Sequence, residues 1–167
     1  MGKYSKAIKF NKQYFDLSKE LESYSNISNA LHVKGMIYVL QKKYDKAIIA
    51  LKECVSMRKE HFYGYSLEPN TLLALSQKNL KQKFDITEIE IMVRDTQSEK
   101  VHAGSRIKGI DFDLNLWLFQ LLEENSYIEA AYMQIQELAE NLEPKLRVEF
   151  LSYPIPKTII DEWKKHN

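Results

Sequence analysis

The sequence predicts an all-α chain of stacked antiparallel helix pairs, and three observations predict it. An aromatic residue followed three positions later by a small one recurs as Tyr4/Ala7, Tyr44/Ala47, Phe84/Thr87 and Tyr127/Ala130, with intervals of 40, 40 and 43 residues between the aromatics. A period in that range marks a helical repeat. Around these pairs, apolar residues recur at three- and four-residue steps, the spacing of one helix face. The composition, 44% hydrophobic and 28% charged over 167 residues, is that of one ordinary domain able to bury a core.

The clearest pair spans 28–58. Ala30, Leu31, Gly35 and Tyr38 share one face of a first helix, and Ala47, Ile48, Leu51 and Val55 share one face of a second. Lys42 and Lys43 suit the negative end of the first helix, and Asp45 suits the positive end of the second. Gly35 and Ala47 are small where two helix axes must approach, and Tyr44 fills the corner. A second pair spans 68–101, with Pro69 in its first turn and Ile86, Ile89, Met92 and Val93 as the later apolar stripe. A break is expected over 98–109, which holds Gly104 and Gly109. A third pair spans 111–142, opened by Asp111 or Asp113 as a cap, and 144–167 closes the chain with a short helix carrying Ile159, Ile160 and Trp163.

Residues 4–24 read as a second helix with no first helix before it. Its Ile8, Phe15 and Leu21 supply apolar surface that needs a partner, which is expected if the chain is a piece of a longer solenoid. The alternative is an atypical cap.

Leu31, Gly35, Tyr38, Tyr44, Ala47 and Leu51 resemble a tetratricopeptide repeat. That family places large, small and aromatic residues along its first helix and an aromatic before a small residue on its second. The period exceeds the family's usual length of about 34, and Lys59 stands where a closing proline is frequent. The resemblance implies a right-handed superhelix with a concave binding face. The stretch from Trp117 onward, with Arg147, Phe150, Leu151, Pro154 and Trp163, resembles the end of repeat arrays in large bacterial signalling proteins that carry an ATPase, kinase or cyclase module. It implies a regulatory or scaffolding region.

Chemistry is hard to find in this sequence. His32, His61, His102 and His166 lie in separate segments, none at metal-ligand spacing. Cys54 sits on an inner helix stripe, as a buried thiol would. No phosphate-cradling glycine loop occurs. The net charge of +1 gives no global pull toward nucleic acid or anionic lipid. Arginines number only four, Arg58, Arg94, Arg106 and Arg147, which disfavours bidentate phosphate or base readout. No membrane span is present, and one cysteine fits a reducing compartment, so a cytoplasmic protein is expected. No enzyme activity and no cofactor are expected.

The expected role is protein–protein interaction, with a peptide or the chain's own upstream module bound in the groove. The expected lining is Asn29, His32, Met36 and Val39, then Leu72, Ser76 and Asn79, then Asn115 and Phe119. His32 and Met36 replace the lysine and asparagine that hold a peptide carboxylate in chaperone-binding members of the family, so a neutral, partly apolar ligand is expected. Phe62 and Tyr63 form a second candidate patch. The other readings are a homodimerisation unit and, last, a small helical enzyme.

Overall fold

The computed structural model describes residues 4–61, 66–102 and 110–166, of which 97–102 by backbone alone. The chain is all-α: nine helices and no strand occur among the described residues. It divides into two compact units, Lys3–Met92 and Val93–Asn167.

The first unit holds α1 (Tyr4–Glu20), α2 (Tyr24–Leu40), α3 (Tyr44–His61) and α4 (Leu67–Asn79). Consecutive helices pack on one another, and α4 also reaches back to α2. The repeating element is shorter than the sequence pattern implies. Tyr4, Tyr24 and Tyr44 are each the first residue of a helix, so one helix plus one turn takes 20 residues. Tyr24 is followed by Ile27 and not by a small residue, which hides this half-period from a search for the aromatic–small pair.

The turns explain the regular step. After α1, the amides of Glu22 and Ser23 donate to the carbonyls of Lys19 and Ser18 at 3.1 and 3.0 Å. After α2, those of Lys42 and Lys43 donate to Val39 and Tyr38 at 2.8 and 2.9 Å. After α4, those of Lys81 and Gln82 donate to Lys78 and Gln77 at 3.0 and 2.9 Å. This paired closure needs one residue in the left-handed region. Glu22, Lys42 and Lys81 supply it at φ of 50°, 58° and 55°, without glycine. Lys42 and Lys43 therefore form the turn itself and do not end the helix.

The α2–α3 contact is set by Gly35. A Cβ built there would lie 2.5 Å from Cγ and 2.6 Å from Cδ2 of Leu51, which is fully buried. Ala30, Ala47 and Ala50 are small and buried on the same two helices. Cys54 lies in this core, its thiol donating to the Ser28 carbonyl at 3.2 Å, and burial pushes its pKa up.

Helix α5 (Ile86–His102) contains the boundary between the units. Asp85 Oδ1 accepts from the amides of Thr87 and Glu88 at 3.0 and 3.3 Å, so Asp85 caps the helix and Phe84 stands just before it. Ile89, Val93 and Thr96 form its buried stripe. The helix runs through the start of the expected break, and 103–109, with Gly104 and Gly109, lie outside the described residues.

The second unit adds α6 (Phe112–Leu122), α7 (Asn125–Glu140), α8 (Pro144–Leu151) and α9 (Pro154–His166). The single short closing helix expected from the sequence is two helices, parted where Ser152 and Tyr153 turn back onto the carbonyls of α8. Arg147 donates from Nε to the Ala139 carbonyl at 2.8 Å and from Nη2 to that of Glu140 at 3.1 Å, closing the end of α7. Phe150 meets Phe112 edge-on at 6.2 Å, and Trp163 stacks on Tyr132 at 4.8 Å. Pro154 opens α9, and Ile159 is fully buried.

Gly35→Ala tests the close approach. Alanine gains about 1 kcal/mol in helix propensity. The clash involves a branched, fully enclosed carbon, and overpacking costs about 1–3 kcal/mol. The expected result is a lower urea midpoint, and an unchanged or raised midpoint would show that Leu51 moves aside freely.

Candidate interaction surface

The nine expected groove positions do not share one environment. In the first unit, Val39, Leu72 and Ser76 are buried, and the Ser76 hydroxyl donates to the Leu72 carbonyl at 2.7 Å. Leu72 and Ser76 belong to α4, which packs on both α2 and α3. Asn29 is exposed, but its Oδ1 accepts from Arg58 Nη2 at 3.0 Å. Met36 is half-buried, and Asn79 is exposed with its Nδ2 turned back to the Leu75 carbonyl at 2.9 Å.

In the second unit, Asn115 and Phe119 are also buried. Asn115 Nδ2 donates to the Ile110 carbonyl and to Gln134 Oε1, both at 3.1 Å, while Gln134 Nε2 donates to the same carbonyl at 2.8 Å. Phe119 meets the His166 ring edge-on at 5.2 Å, because α9 folds back over α6. Periodicity placed these two on an open helix face, and the closing helix covers Phe119. Phe62 and Tyr63 lie outside the described residues.

His32 is the most perturbed titratable group. Its side chain is 12% exposed, and Nε2 lies 3.5 Å from Glu68 Oε1 without a hydrogen bond. Burial, with the nearby Arg58 charge, lowers its pKa to about 4. The Glu68 carboxylate would favour the imidazolium, but desolvation outweighs it. His32 is thus a neutral, packed ring between α2, α3 and α4. No group of three or more His, Cys, Asp or Glu side chains able to hold a metal occurs among the described residues.

Each unit carries a cleft among its described residues. One, about 320 Å³, lies in the first unit, where Ile8, Lys12, Phe15 and Asp16 of α1 face Lys34 and Tyr38 of α2. The other, about 410 Å³, lies in the second unit, where Asp111, Asp113 and Glu137 surround Phe112 and Leu138. The acids give the second cleft a negative rim.

Among the described residues, an exposed apolar stripe runs along α1 and into the turn after it. Phe10, Tyr14, Leu17 and Leu21 are 56%, 40%, 53% and 67% exposed, and Ala7 is exposed in line with them. The neighbouring positions Ile8, Asn11, Phe15 and Ser18 turn toward α2: Asn11 Nδ2 donates to the Ala30 carbonyl at 2.9 Å, and Phe15 packs on Ile27 and Leu31. The two sets differ by one residue, about 100° around a helix. The helix therefore has one packed apolar face and one open apolar face. Of the three side chains that needed a partner, Ile8 and Phe15 are partly covered within the chain, and Leu21 is not.

No family model matches the chain, and no curated protein or solved structure matches it either. No described helix is long and apolar enough to cross a membrane.

The His32 environment sets a pH dependence. The unfolded imidazole binds its proton near pH 6.5 and the folded one near pH 4, so the unfolded state holds more protons between those values. Stability should be full above about pH 6.5 and fall as the pH drops toward 4. His32→Leu should flatten the melting temperature between pH 6.5 and 5. A slope unchanged by this substitution would place the titration elsewhere.

Proposed function

We propose that the chain is a tetratricopeptide-like interaction module and that its contact face is the open side of α1. One observation carries the reading: Phe10, Tyr14, Leu17 and Leu21 form a continuous apolar stripe at three- and four-residue steps. Isolated exposed apolar residues need no explanation, but a large contiguous apolar patch marks an interaction site. The repeat reading is supported by the 20-residue helix step, the α2–α4 contact and the Gly35–Leu51 approach. The partner is a protein segment with a complementary apolar helix face. A regulatory or scaffolding role within a larger signalling protein fits the residues from Trp117 to Trp163 and is part of the proposal.

In this proposal the contact lies on α1 rather than on the expected groove positions. Buried Val39, Leu72, Ser76, Asn115 and Phe119 support the units from inside.

Capture from a lysate of the source cells tests the reading. The wild-type chain should retain a protein partner through moderate salt, since apolar contacts are weakly screened. Leu17→Glu should lose it. Ile49→Glu, at a 70% exposed site on α3, should keep it. Capture that survives Leu17→Glu would move the contact face, and nucleic acid released steeply by salt would contradict the reading in kind.

A further inference from the structure

We infer that the occupant of the α1 stripe is a second copy of this chain, with the two α1 helices packed antiparallel about a two-fold axis. The inference rests on the reading of this stripe as a contact face. Ala7, Phe10, Tyr14, Leu17 and Leu21 follow steps of three, four, three and four residues. That alternation is the seam of a two-helix coiled coil, and it runs the length of α1.

Side-chain sizes fit an antiparallel copy. With the axis passing near Lys12, the ring of Phe10 meets that of Tyr14 in the other copy, and the same pairing repeats by symmetry. Small Ala7 then receives the larger Leu17. One layer thus sets small against large, as close packing favours, and the other pairs two aromatic rings.

The charges select the direction. Lys6 and Glu20 lie on the same border of the seam, one position before Ala7 and before Leu21. An antiparallel copy sets Lys6 against Glu20 twice, while a parallel copy would set Lys6 against neutral Asn11 and Gln13 against Ser18, with no opposite charges paired. Gln13, midway along this border, faces its own neutral equivalent. The other border, Asn11 and Ser18, is neutral and bonded within the chain. A symmetric contact of this type closes after two copies and does not propagate. One 17-residue helix from each copy makes a small interface, so dissociation in the micromolar range is expected.

Sedimentation of the purified 167-residue chain tests this, across about 1 to 200 µM, a span that brackets micromolar affinity. The mass should rise from 19.7 kDa toward twice that value. Leu17→Glu, at a solvent-exposed site, should leave helicity unchanged by circular dichroism and remain monomeric. Lys6→Glu and Glu20→Lys should each weaken association about five- to tenfold, as two exposed pairs turn repulsive. An equal mixture of those two variants should restore it.

A chain that stays monomeric throughout overturns the inference and leaves α1 free for a different protein. A dimer untouched by Leu17→Glu overturns it by placing the two-fold contact elsewhere. Single charge variants that do not weaken the dimer, or a mixture that does not recover it, overturn the antiparallel pairing.

Discussion

The first unit depends on the distance between α2 and α3, and that distance depends on a missing side chain. Gly35 lets Leu51 sit where a Cβ would otherwise be, and Ala30, Ala47 and Ala50 are small, buried residues of the same two helices. Leu31 and Cys54 are then sealed inside, and α4 can lie against both helices. Exposing a different face of α2 or α4 would require moving these helices apart. The burial of Val39, Leu72 and Ser76 follows from the same geometry that makes Gly35 necessary.

The second unit reaches a similar result by closure from its end. The last carbonyls of α7 would lack partners within the helix, and Arg147 supplies donors to two of them. This fixes the path of α8, sets Phe150 against Phe112, and returns α9 across α6 and α7. Asn115 and Gln134 converge on the Ile110 carbonyl and fasten the other end of the α6–α7 pair. The residues singled out near the end of the sequence thus have specific structural work in this unit.

The helical class and the order of helices were legible because they are written in local spacing. Tyr44, Ala47 and Gly35 carry enough of that pattern to locate one pair by inspection. The 20-residue step was obscured by Ile27, a large residue where Ala7 and Ala47 are small. The split of the chain's end into α8 and α9 was missed because α8 fully buries none of its residues, so no apolar stripe marks it in the sequence. Burial of Phe119 depends on His166, 47 positions away, and the His32–Glu68 approach spans 36 positions. Periodicity along one helix carries no information about such distant neighbours. The α1 stripe was different: Phe10, Tyr14 and Leu17 have a visible helical step, but it lies beside a second apolar set, and only packing distinguishes the face that α2 covers.

The account's central claim is that α1, and not the concave positions of the repeat pattern, presents the chain's open apolar surface. Hydroxyl-radical footprinting read by mass spectrometry across a dilution series measures this side chain by side chain. Phe10, Tyr14 and Leu17 should become strongly oxidised as the chain is diluted, while Leu72 and Phe119 stay protected at every concentration. Oxidation of Leu72 and Phe119 at rates matching Phe10, or protection of Phe10, Tyr14 and Leu17 even in the monomer, would contradict it.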